Sequence, residues 1–78
     1  MDEVVALFRK CGWRDCGKVE SREHGYDKPL FQSGRWKALI GKTWVTLYEL
    51  LGEQCIGDMN SYRVDDICTL RVEIAKRS

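Results

Sequence analysis

The stretch that most restricts how this chain can fold is V-T-L-Y-E-L, residues 45–50. Thr46 and Glu49 have the spacing of a capping box. In that arrangement a threonine at the N-cap and a glutamate three residues on each satisfy the other's free backbone donor. Val45 before the cap and Leu50 at the fourth helical position supply the matching hydrophobic staple. The pattern predicts a helix that starts at Thr46, covers 46–54, and ends at Gly52 or near Gly57.

A second helix is expected at the start of the chain. Asp2 suits an N-cap, and Val4, Leu7, Phe8 and Cys11 fall at i, i+3, i+4 and i+7, one apolar stripe. Gly12 is placed to stop it. A third is expected over about 61–76, in S-Y-R-V-D-D-I-C-T-L-R-V-E-I-A-K, capped by Asn60 or Ser61. Asp65 and Asp66 lie near its positive end, and Lys76 and Arg77 near its negative end, as the helix dipole favours. Arg71 falls close to the middle of the stripe formed by Val64, Ile67, Cys68, Ile74 and Ala75. A buried, unpaired guanidinium is very costly. Arg71 is therefore expected to pair with Glu49 or Glu53 on the capped helix, or to run its stem out to water.

Between these helices, residues 12–35 are punctuated by Gly12, Gly17, Gly25, Pro29 and Gly34. Such a long structureless connection is unusual in a compact domain, so it hides a hairpin or carries function. Residues 36–45, W-K-A-L-I-G-K-T-W-V, fit a helical turn or two short strands reversing through Gly41-Lys42, and periodicity does not decide. The fold class expected is α+β: a small, helix-dominated single domain over 1–78, with a C-terminal helix-turn-helix-like pair and an irregular or short-stranded middle.

Composition narrows the function. A chain of 78 residues buries only about 60% of its unfolded surface, which leaves little room for an elaborate catalytic pocket. Its single histidine, His24, lies in a polar stretch. No Ser-His-Asp order, phosphate loop or H-E-x-x-H run is present, so an enzyme is not expected. The N-terminus begins with acids and has no long apolar core, unlike a signal peptide, and no apolar run reaches the length of a membrane span. A cytoplasmic protein with reduced thiols is expected, without cofactors. Cys11, Cys16 and His24, with Asp27, could supply zinc ligands, but Cys11 also completes the first apolar stripe and packs as a small hydrophobe. Metal is not expected.

Net charge is +1, so no global field draws the chain to nucleic acid. The layout of the last two expected helices nonetheless matches a helix-turn-helix, whose second helix enters the major groove and reads bases with its N-terminal residues. Those would be Asn60, Ser61, Tyr62, Arg63 and Asp66, with Arg63 suited to guanine and Asn60 to adenine. Thr46, Glu49, Leu50, Ile67, Leu70 and Arg71 in T-L-Y-E-L-L and Y-R-V-D-D-I-C-T-L-R-V-E-I loosely resemble the core of small helix-turn-helix and winged-helix proteins of phages and mobile elements. The resemblance covers about 30 of the residues. It implies a DNA-binding accessory or regulatory protein, reading duplex DNA at about 61–76, with a homodimer compatible with a long site.

Arg35, Lys37 and Lys42 surround Trp36 without an acid and would hold the phosphate backbone. Trp13, Arg14, Tyr26, Phe31 and Trp36, together with Trp44, form a second, aromatic and basic set. Rings among cations suit stacking with single-stranded bases. They equally suit a protein interface, so the alternative expected is a module that binds or inhibits a host protein through Trp13, Arg14, Tyr26, Phe31 and Trp36. Trp44 is expected in the core.

Overall fold

The computed structural model describes residues 2–21, 26–53 and 55–78. Its elements are α1 (Asp2–Lys10), β1 (Arg14–Ser21), β2 (Tyr26–Ser33), β3 (Trp36–Ile40), β4 (Trp44–Leu50), β5 (Ile56–Arg63) and α2 (Ile67–Arg77). The strands form one antiparallel sheet in the order β1-β2-β3-β4-β5, so each pairs with its sequence neighbour. Both helices contribute to the core on one side of the sheet. The fold is sheet-dominated, and the expected helix-dominated class is incorrect.

The first helix forms as its stripe requires. Val4 and Phe8 are buried, and Leu7 and Cys11 pack against the core. Gly12 ends the helix at φ 81. Its N–H donates to the Arg9 carbonyl, and the Trp13 N–H donates to the Phe8 carbonyl, the Schellman closure of a helix C-terminus. Phe8 then stacks on Phe31 of β2 at 5.2 Å and meets the edge of Trp13 at 5.0 Å. The Trp13 Nε1–H donates to the Ile74 carbonyl of α2 at 3.3 Å, which joins the two helices.

Residues 44–50 form a central strand, not a capped helix. Val45 and Leu47 point to the core with no exposure, beside Ala38 and Ile40 of β3. A helix cap contributes about 1 kcal/mol. Burying two aliphatic side chains contributes about 3–6 kcal/mol, and pairing on both edges satisfies the backbone. Thr46 and Glu49 are adjacent in sequence to a competing period of two, and that period wins. Residues 36–45 resolve as two strands reversing through Gly41, Lys42 and Thr43.

The expected recognition helix is also corrected. Residues 56–63 form edge strand β5, so Asn60, Ser61, Tyr62 and Arg63 lie on a strand and no helix-turn-helix forms. Helix α2 is capped instead by Asp66, whose Oδ1 accepts the Thr69 N–H at 3.3 Å. The later start shifts the stripe. Leu70 and Ile74 are buried and Ile67 packs beside them, whereas Arg71, Cys68 and Ala75 are exposed. Arg71 does not pair with Glu49 or Glu53. It borders a shallow cleft with Glu3, Leu7 and Lys10 of α1.

The sheltered guanidinium is that of Arg77, with only 13% of its side chain exposed. Its Nη1 donates to Glu73 Oε2 at 2.9 Å and to the Glu73 carbonyl at 2.9 Å. Its carbon lies 4.4 Å from the Trp36 ring centre. The Ser33 hydroxyl donates to the Arg77 carbonyl at 3.1 Å. These contacts fasten the end of α2 to the β2–β3 hairpin and leave the far side of the sheet uncovered.

Candidate functional site

Strand alternation sorts side chains between two faces. Phe31, Ala38, Ile40, Val45 and Leu47 mark the helix-covered face. The register then places Arg14, Lys28, Leu30, Gln32, Lys37, Leu39, Trp44, Thr46, Tyr48, Met59, Ser61 and Arg63 on the other. Among the described residues, no paired position on this open face carries an acid. Asp15 and Glu49 project to the helix side by the same register, Glu3 and Glu73 belong to the helices, and Asp65, just after β5, meets this face through its ion pair with Arg63.

Three rungs across β4 and β5 form the floor: Trp44 opposite Arg63, Thr46 opposite Ser61, and Tyr48 opposite Met59. Lys37 of β3 stands opposite Tyr48, and Leu39 opposite Thr46. A groove of about 650 Å³ runs over them, lined by Lys28, Lys42, Trp44, Tyr48, Ile56 and Met59 among others. Trp44 is 51% exposed, Ile56 51% and Met59 56%.

Each ring has a cation beside it. The Arg63 guanidinium lies 6.0 Å from the Trp44 ring centre and is tethered by Asp65, with Nε to Oδ1 at 3.2 Å and Nη2 to Oδ2 at 3.4 Å. The hydrogen bond from Arg63 holds the Asp65 carboxyl below its ordinary range, and the same bond raises Arg63. Partial burial raises the Tyr48 phenol, so it remains a neutral donor. At the far edge, Arg14 donates to Gln32 Oε1 at 2.9 Å. The Asp15 carboxylate accepts the Gly17 N–H at 2.8 Å, which lowers its pKa and shapes the bulge in β1.

Of the residues expected to meet nucleic acid, Lys42 lines this groove, and Lys37, Ser61 and Arg63 lie on the same open face by register. Asn60 and Tyr62 face the opposite side, and Tyr62 packs against the core. Arg35 is exposed in the β2–β3 turn. The aromatic set does not assemble as one surface: Trp13 and Phe31 are core residues, and Trp36 lies under Arg77. Arg14 is exposed on the open face. Tyr26 opens β2, and its side chain lies outside the described residues.

The expectation for Trp44 is reversed. Its period-two relation to Thr46 and Tyr48, opposite Val45 and Leu47, would have placed it on the open face had the segment been read as a strand. Lys28, Leu39, Tyr48 and Met59 were missed for the same reason.

Cys11 packs on the helix side. Cys16 lies on the other, with its Sγ 3.9 Å from Gln32 Oε1, and His24 lies outside the described residues. Among the described residues no cluster of three His, Cys, Asp or Glu could hold a metal, and no helix is long and apolar enough to cross a membrane. No family model, curated protein or solved structure compared with the chain matches it.

Proposed function

We propose that this protein binds single-stranded nucleic acid on the open face of its sheet, without catalysing a reaction. The observation that carries this reading is the segregation of charge. In a chain of net charge +1, Arg14, Lys28, Lys37 and Arg63 share one face with two accessible rings, and that face has no acid at its described paired positions. Cations follow the phosphates, and bases stack on Trp44 and Tyr48 irrespective of sequence. A second copy of the chain is a poor occupant, because two such faces repel. The four free thiols suit a reducing, cytoplasmic setting.

Duplex reading by a C-terminal helix has no support once residues 56–63 are a strand. The open face offers its rings to unpaired bases, which a duplex keeps stacked inside. Fluorescence anisotropy with labelled single-stranded and duplex oligonucleotides tests the proposal. Single strands are expected to bind more tightly. Three phosphate contacts, from Arg14, Lys28 and Lys37, give a slope of log K against log salt of about −2, from roughly −0.7 per contact, because Arg63 is already paired with Asp65. Absence of single-strand binding at low salt refutes it. In that case the exposed apolar end, Leu51, Ile56 and Met59, favours the second reading, a protein partner docked on this face.

A further inference from the structure

We infer that the hydroxyl pair of Thr46 and Ser61 makes this face select RNA over DNA, an inference that rests on the single-strand reading above. The two side chains form the middle rung of the floor, with Oγ1 and Oγ 3.1 Å apart. Trp44 and Tyr48 lie two residues to either side on β4. At about 3.3 Å per residue the two ring-bearing positions are ~13 Å apart. Stacked nucleotides of one strand repeat at about 3.4 Å. Bases lying on the two rings are therefore not stacked neighbours, and the chain between them is stretched across the Thr46–Ser61 rung. A sugar is brought onto the hydroxyls.

The chemistry of the pair matches a sugar hydroxyl. Two hydroxyls carry two protons and four lone pairs. Their mutual bond occupies one proton and one lone pair, and either oxygen can be its donor. One O–H and several lone pairs remain in both arrangements. The 2′-OH is likewise donor and acceptor, so it can join the pair without fixing which oxygen donates. A phosphate oxygen only accepts, and a base edge presents a fixed pattern.

The surroundings sharpen the choice. Leu39 flanks Thr46 across β3, and Trp44, Tyr48 and Met59 occupy the adjoining rungs. A strand lying over this apolar floor excludes water from the hydroxyls. Deoxyribose then leaves their remaining capacity unmet, whereas ribose fills it.

The test uses the full chain with three labelled 12-mers of uridine, differing only at the 2′ position: ribo, deoxy and 2′-O-methyl. Anisotropy is read at one moderate salt concentration. The ribo strand is expected to bind about 2- to 12-fold more tightly than the deoxy strand, the range of one net hydrogen bond. The 2′-O-methyl strand, which cannot donate, is expected to bind no better than the deoxy strand. In the Thr46→Val, Ser61→Ala double variant, both ribo and deoxy strands should still bind, with the ratio reduced to about one. Valine keeps the branched shape, and Ser61 is exposed, so folding is retained. Equal binding of ribo and deoxy strands by the parent protein overturns the inference alone. So does an unchanged ratio in the variant, or 2′-O-methyl binding as tight as ribo. Failure of all three strands to bind overturns the single-strand reading as well.

Discussion

Replacing Trp44 by leucine separates the stacking contribution of the open face from its charge. The ring is 51% exposed, and a buried tryptophan covers about 150–250 Å², so roughly 100 Å² of it packs on the sheet. Leucine keeps most of that apolar contact. A net loss of ~40 Å² corresponds to about 1 kcal/mol at ~25 cal/mol per Å². A domain of this size has a stability of about 4–12 kcal/mol, so Trp44→Leu stays folded. Stacking of a base on an aromatic ring contributes about 1–3 kcal/mol, so affinity for an oligonucleotide should fall about 5- to 140-fold. Arg63 keeps its place in the variant because Asp65, not the ring alone, holds it. The slope of affinity against salt is therefore expected to stay unchanged while the affinity drops. Anisotropy titrations at several salt concentrations measure both, and far-ultraviolet circular dichroism reports the fold. The parent protein should also show fluorescence quenching on binding that the variant loses, because Trp13 is in the core and Trp36 lies under Arg77. A folded Trp44→Leu protein that binds within twofold of the parent refutes base stacking at this position.

Other outcomes follow from the same contacts. Lys37→Ala should do the converse of Trp44→Leu, reducing the magnitude of the salt slope by about 0.7, measured in the same titrations. Glu73 is held below its ordinary range of 4.5 chiefly by the Arg77 hydrogen bond, with Lys76 and Arg77 charges adding to it. A depressed carboxylate contributes stability above its unfolded pKa and loses it as pH falls through the folded value. The melting temperature of the parent should thus fall more steeply below pH ~4.5 than that of Glu73→Gln, and parallel curves would remove Glu73 from the lock. Gly12→Ala meets no atom within 4 Å at the new Cβ. Its cost is the backbone's alone, about 1–2 kcal/mol for a left-handed alanine, read by urea unfolding. Leu70→Ala opens the core between α2 and the sheet and should cost about 2–5 kcal/mol in the same measurement.

Local signals in the sequence were reliable where their neighbours agreed with them. The stripe Val4, Leu7, Phe8 and Cys11, ended by Gly12, specified α1 within one residue, because helix periodicity and a C-terminal glycine are properties of consecutive residues. The Lys76-Arg77 end of α2 was legible for the same reason. Its start was not, because Asn60, Ser61 and Asp66 are all competent caps and the choice depends on β5 pairing with β4. Starting at Ile67 removes Val64 from the helix and turns Arg71 to water, while Arg77 comes to lie over the Trp36 ring. The candidate face was half legible: Lys37 and Lys42 stood out as cations near aromatics, and Arg63 as a base reader on an expected helix that is in fact strand β5. Trp44 and Tyr48 did not, because their place on an open face follows only from strand register.

Residues 45–50 mark the boundary between what the sequence determined and what tertiary structure decided. By itself the sequence determined the first helix and its Gly12 stop, and a middle rich in basic and aromatic residues. It also carried two compatible readings of V-T-L-Y-E-L. A capping box is satisfied within four residues and contributes about 1 kcal/mol. A strand there gains nothing until β3 and β5 lie beside it. Once they do, Val45 and Leu47 are buried and both edges of the backbone are paired. The stabilisation that chose the strand comes from residues distant in sequence, so only the folded chain could turn Val45 and Leu47 inward and leave Trp44, Thr46 and Tyr48 facing out.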